Sequence, residues 1–290
     1  MKLSPLVAGM WRMVDWELSV SERINLIEGC IDLGITSFDH ADIYGDYQCE
    51  SLFGEALAKR PGLRDQIQLV SKCGIRLVSQ NRPTHQMKTY DTSYQHIVGS
   101  VENSLKALNT EHLDAILIHR PDPLMNGEEV ARAFSDLVAS GKILTAGVSN
   151  FLPHQSAMLQ SFCDFPLAIN QIEISVLNTH SFYDGSLDYC QQHQMTPMAW
   201  SPLAGGLLFN SDSERALGVK EALTVVGTEV DATVDQVAFA WLLKHPAGIK
   251  PIIGSGNLQR IKAAQQALQL ELTDLHWYQI LKASAGKDVA

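Results

Sequence analysis

Eight short apolar runs recur along the chain, at 5–11, 35–39, 67–73, 113–119, 143–148, 167–172, 196–200 and 249–254, and segments with helical period separate them. A strand that reads as a continuous aliphatic run, such as LDAILIH at 113–119, is buried on both faces, as parallel strands are when helices cover them. Between the runs, Ile24, Ile27 and Ile31 precede Gly34, Ile97, Val101 and Leu105 share a stripe, Val130, Phe134, Leu137 and Val138 precede Gly141, and Val234, Val237 and Trp241 follow the same spacing. Ser19 with Glu22, Thr92 with Gln95 and Thr233 with Gln236 are spaced as capping boxes, while Gly34 and Gly141 stand where a left-handed residue ends a helix. Eight strands alternating with helices predict an α/β fold, a (β/α)8 TIM barrel. An open doubly wound sheet would alternate too, but the G-x-G-x-x-G turn that normally marks its dinucleotide site is missing.

No linker, repeat or low-complexity tract divides the chain, so residues 1–290 are expected to form a single barrel domain. With 46% hydrophobic and 19% charged residues the core needs no staples. A formal charge of −10 without a basic run argues against nucleic acid as a partner. The five cysteines, odd in number and without a CxxC pair, indicate neither a disulfide framework nor a zinc site, and fit a reduced, intracellular setting. The N-terminal apolar stretch is broken by Pro5 and Gly9, and no run reaches the length of a membrane span, so the expectation is a cytoplasmic protein with no membrane partner. Segments 74–91 and 202–220 read as long loops, and 272–284 as a short amphipathic helix that either caps the barrel or packs on its side.

In such a barrel the chemistry sits where the strands end. Those ends deliver Trp11, Asp39 with Tyr44 just beyond, Lys72, His119, Ser149 with Asn150, Gln171, Trp200 with Ser201, and Gly254 with Ser255. Each has a bland reading: Asp39 as a turn cap, Tyr44 as an aromatic wedge, Lys72 as a snorkelling cation, His119 as a core histidine. Together, Asp, Tyr, Lys and His at one rim cost free energy unless they pair. A Lys beside a Tyr hydroxyl would lower its pKa and make it a usable general acid, with Asp39 holding the Lys and His119 orienting a carbonyl oxygen. One role then remains unfilled, that of a hydride donor.

The strings FDHADIYG and ESLFGEAL, LVSKCG, SLKALNTEHLDAILIHRPDP, GKILTAGVSNF, INQIEIS, AWSPLAGGLL and PIIGSGNLQRI follow one another in an order that resembles the aldo-keto reductase superfamily over nearly the whole chain. The resemblance implies an NADP(H)-dependent oxidoreductase that acts on a small-molecule carbonyl substrate, with Asp39, Tyr44, Lys72 and His119 as its catalytic set and Tyr44 as proton donor. It also implies that Ser149, Asn150 and Gln171 bond the nicotinamide carboxamide, that Trp200 stacks on the ring, and that Ser201, Pro202 and Leu203 touch the pyrophosphate. Trp11 joins this cofactor-binding set. The turn Gly254, Ser255, Gly256, Asn257 opens a helix and suits a phosphate, with Arg260 one turn on to grip a 2′-phosphate, which favours NADP over NAD.

The chain departs from the family at Gly254, where a Lys is common, at Ala263 and Ala264 near the adenine, and at His40, where a small residue is usual. No basic residue follows GGLL to close over the pyrophosphate. A cofactor-binding regulatory subunit with little turnover is the alternative, since some relatives of this fold serve a partner protein. A metal-dependent hydrolase would need more carboxylates or histidines at the strand ends than Asp39 and His119, so no metal is expected. Trp11, Trp16 and Trp200 suggest a pocket that tolerates aromatic substrates. Oligomeric state is not legible, because no large apolar stripe is left over.

Overall fold

The computed structural model describes residues 2–289. Its strands are β1 (Val7–Gly9), β2 (Ser37–Asp39), β3 (Gln68–Cys73), β4 (Leu113–Ile118), β5 (Ile143–Ser149), β6 (Ile169–Glu173), β7 (Thr196–Trp200) and β8 (Lys250–Ile253). They pair in parallel with their sequence neighbours, and β8 pairs with β1, so the sheet closes into the expected barrel. All six residues of β4 are buried. Val7, Val70, Ala115, Leu117, Ile169, Met198 and Ile252 form one compact apolar cluster, distinct from the larger shell packed between strands and helices. The interior is therefore a packed core, and a ligand of the strand ends must bind at the mouth.

Helix α1 spans Val20–Asp32, α2 Cys49–Lys59, α3 Tyr94–Ala107, α4 Gly127–Ala139, α5 Pro153–Gln160 and α6 Ser186–Gln192; α7 (Glu214–Val230) and α8 (Val234–Leu243) both follow β7, α9 (Leu258–Gln266) follows β8, and α10 (Asp274–Ala285) ends the chain. Helix α1 begins where the capping box predicts, with Glu22 Oε2 accepting from the Ser19 amide at 2.8 Å. Gly34, at φ +74°, ends it with its amide on the Ile31 carbonyl. The α3 cap lies one residue later than Thr92: Ser93 Oγ accepts from His96 N, while the Thr92 hydroxyl bonds Asp122.

Two long segments are more ordered than loops. Ile75–Arg76 and Thr89–Tyr90 form an antiparallel ribbon over the mouth, and in 202–220 short helical turns at Ala204–Gly206 and Leu207–Asn210 lead into α7. The C-terminal helix packs on the barrel's side. Trp277 stacks on Trp241 of α8 at 5.1 Å, and each indole N–H donates to the other's carbonyl. Among the described residues no helix is long and apolar enough to cross a membrane, and the cysteines are all free.

Candidate functional site

The strand ends converge on one cavity of about 1110 Å³. Asp39, Tyr44 and His119 line it, with Ser149, Asn150, Gln171, Trp200, Ser201, Pro202, Leu203, Gly254, Ser255, Arg260 and Trp11. Lys72 does not reach the surface. It lies behind Asp39, with its Nζ 2.7 Å from Asp39 Oδ1 and 2.6 Å from the His40 carbonyl oxygen. Burial lowers the Lys72 pKa, and the Asp39 carboxylate opposes that.

Nζ of Lys72 stands over the Tyr44 ring, 4.7 Å from its centroid. The expected lowering of the Tyr44 pKa is not seen. Burial, then the Asp39 charge, hold it well above 10, against a smaller opposing pull from Arg120. Tyr44 thus keeps its proton at any ordinary pH. His119 meets the Tyr44 ring edge to face, 5.9 Å between centroids. Burial, with Lys72, Arg120 and Lys88 nearby, drives its pKa well below 6.5, so the imidazole is neutral, and its Nδ1 has no partner among the described residues.

A chain of hydrogen bonds fixes the next rank. Asn150, at φ +62°, accepts from the Trp200 indole at 2.9 Å and donates to Ser149 Oγ at 2.8 Å. Ser149 in turn donates to the Gln171 carbonyl at 2.8 Å, and Gln171 Nε2 donates to Asp39 Oδ1 at 2.7 Å. The amides expected to hold a carboxamide are thus preorganised by Asp39 and Trp200 rather than left free.

At the far end, Gly254 has open space where a Cβ would stand, and Ser255 and Arg260 face the cavity. Gly256 and Asn257 do not line it. A Cβ on Gly256 would fall 2.6 Å from Trp16, so this glycine admits the indole, and Trp16 packs there instead of walling the pocket. Asn257 Oδ1 caps α9 by accepting from Gln259 N at 2.8 Å and Arg260 N at 3.4 Å. A phosphate would have to share that helix end with it.

Sequence reasoning missed three cations on the cavity wall, Arg12, Lys88 and Arg120, together with Tyr90, Asp235 and Phe239. The one signal for Arg120 was its place next to His119. His40 also gains an account: it is wholly buried, edge-on to Phe53 at 4.6 Å, with neither ring nitrogen partnered among the described residues. Among the described residues no group of three or more His, Cys, Asp or Glu is placed to hold a metal.

The cavity suits an extended dinucleotide, with amides at one end, a Gly-rich turn between and a guanidinium at the other. Comparison with known proteins agrees. The Aldo/keto reductase family model matches residues 5–285. The chain is 50% identical over its full length, and over 97% of the relative's, to the oxidoreductase YcsN of Bacillus subtilis. It is 44% identical to a 6-dehydroglucose reductase of Agrobacterium fabrum, covering 100% of this chain and 97% of the other. Among solved structures, an aldo/keto reductase from Klebsiella pneumoniae in complex with NADP and acetate superposes with a TM-score of 0.78 at 28% identity, covering 96% of this chain and 90% of that one.

Proposed function

The chain belongs to the aldo/keto reductase family, and from that premise we propose that it reduces the carbonyl of a small-molecule substrate with hydride from NADPH and a proton from the Tyr44 hydroxyl. The observation that carries this reading is the placement of Asp39, Tyr44 and His119 on one cavity with Lys72 buried behind Asp39 and paired to it. Ser149, Asn150 and Gln171 would hold the nicotinamide end, Trp200 would form its wall, Ser201, Pro202 and Leu203 would meet the pyrophosphate, and Gly254, Ser255 and Arg260 the adenosine phosphate. When bound, the cofactor supplies the hydride that no side chain here can provide.

Neutral His119 orients the carbonyl oxygen by donating to it. As negative charge grows on that oxygen, Tyr44 gives up its proton, which moves downhill because an alkoxide is a much stronger base than even a raised phenolate. The Lys72 ammonium over the ring steadies the phenolate until solvent returns the proton. The product is the alcohol, with the carbonyl carbon having gained the hydride and its oxygen the proton.

Because a relative at 44% identity is a 6-dehydroglucose reductase, a sugar aldehyde is the first substrate to try. The test is loss of NADPH or NADH absorbance with sugar and simple aldehydes, wild type beside Tyr44→Phe. NADPH consumption that collapses in the variant supports the reading. NADPH bound with no aldehyde turned over would favour the regulatory-subunit alternative.

A further inference from the structure

The wall beside Tyr44 and His119 carries positive charge without a matching carboxylate. Lys88 comes from the ribbon after β3 and Arg120 from the loop after β4, while Arg12 from the β1 loop lies against Trp11, 5.3 Å from its ring. None of the three is in an ion pair among the described residues. Two carboxylate residues line the cavity. Asp39 is taken by Lys72 and Gln171, and Asp235 belongs to α8. In a chain of net charge −10, Arg12 and Lys88 are exposed and Arg120 half-buried on the cavity wall, so all three are available to a ligand.

The cofactor's phosphates do not explain them. The segments suited to phosphate, 201–206 and 254–260, follow β7 and β8, whereas Lys88 follows β3, on the other side of the closed barrel, and Arg120, which follows β4, reaches across to Trp200 at the proposed nicotinamide end. Both cations stand close enough to His119 to disfavour its imidazolium, and Arg120 acts on Tyr44 in the same way that any nearby cation would, by favouring its phenolate. Both line the cavity onto which Tyr44 and His119 open, and Arg120 is the next residue after His119. Arg120 is also braced, with its Cζ 5.6 Å over the Trp200 ring, whose indole N–H is tied to Asn150.

Ammonium and guanidinium groups donate hydrogen bonds and cannot accept them. A substrate that fills this wall must bring acceptor oxygens on the carbons next to its carbonyl. We propose that Lys88 and Arg120 are the substrate-specificity residues of this site, selecting carbonyl compounds whose neighbouring carbons bear oxygen, as in a hydroxylated aldehyde, over hydrocarbon aldehydes of the same size. This rests on the carbonyl-reductase reading above and replaces the aromatic-tolerant pocket that the tryptophans suggest. A bare alkyl or aryl chain would displace water from the half-buried Arg120 and the exposed Lys88 without replacing its hydrogen bonds, which a site built for hydrogen bonding disfavours.

The test compares kcat/KM for glyceraldehyde and propanal, which have the same carbon chain, in wild type, Lys88→Met and Arg120→Met, with the NADPH Kd measured alongside. The expected result is a wild-type preference for glyceraldehyde of about tenfold or more, falling by about tenfold in each variant, with the NADPH Kd within about threefold of wild type. Glyceraldehyde 3-phosphate distinguishes the source of the oxygens. If an anionic group is the natural acceptor, its kcat/KM exceeds that of glyceraldehyde and declines steeply with salt; if hydroxyls are, it does not. A glyceraldehyde-to-propanal ratio that is the same in all three proteins overturns the proposal while leaving the reductase reading intact, as does an NADPH Kd that weakens in step with activity. Absence of turnover with every aldehyde and either cofactor removes the reductase reading and this inference with it.

Discussion

The ammonium of Lys72 lies 2.7 Å from Asp39 Oδ1, with the two side chains 0% and 3% exposed. Such a pair gains little net stability over apolar residues, because withdrawing two charges from water offsets their attraction, but removing one partner strands the other. Lys72→Met should therefore lower unfolding free energy by about 3–5 kcal/mol. The double variant Lys72→Met/Asp39→Asn should lose less than the single one, since Gln171 still donates to residue 39. Denaturant unfolding measures both. A single variant within about 1 kcal/mol of wild type would mean that the Gln171 amide alone satisfies the Asp39 side chain.

His40 makes stability depend on acid. Burial, then the Lys72 charge, depress its pKa from 6.5 to about 3. Below 6.5 the unfolded chain takes up a proton that the folded one refuses until about pH 3. The stabilising contribution is thus complete above 6.5 and falls as pH drops through that window, by about 2 kcal/mol at about pH 5. His40→Leu removes this proton uptake. Between about pH 7.5 and about pH 5 it should lose about 2 kcal/mol less than wild type in the same unfolding experiment. Equal losses would show that native His40 accepts the proton.

These two groups also mark how far the sequence reaches. Asp39, Lys72 and His119 were legible because strand period fixes which residues end each strand, and barrel geometry brings strand ends together. The raised Tyr44 pKa was not, since the depth to which its ring is buried beside Asp39 is a matter of packing that no spacing encodes. The same limit hid Arg120 beside His119, and Lys88 within a segment read only as a loop. Helix α7 was missed, its first turns being read as loop, because Ser213 follows a run of turn residues and Gly218 and Gly227 break the apolar stripe that would have announced the helix. Gly256 was read as part of a phosphate turn, but its missing Cβ makes room for Trp16, a contact from the other end of the chain.

Tyr44 carries the sharpest kinetic expectation. Removing only its hydroxyl, Tyr44→Phe should lower kcat by about a hundred- to ten-thousandfold while leaving the NADPH Kd within about threefold. Since its pKa lies well above 10 and His119 stays neutral, wild-type kcat for reduction should be flat from about pH 6 to about pH 9. A steep ionisation in that range, absent from Tyr44→Phe, would mean that bound cofactor moves the Tyr44 pKa into it.

Arg260 tests the cofactor preference. It is exposed, faces the cavity one turn into α9, and has no ion pair among the described residues. A charge-assisted bond from its guanidinium to the 2′-phosphate is worth about 1.5–3 kcal/mol, so Arg260→Met should weaken NADPH by about ten- to a hundredfold and NADH by little. The salt dependence of NADPH affinity should flatten in the variant, because one ion contact is lost. Fluorescence titration of both cofactors at two salt concentrations reads all of this. If NADPH and NADH weaken together, Arg260 supports α9 rather than the phosphate. The preference must then arise elsewhere on the mouth, where Gly254 and Ala264 offer no charge.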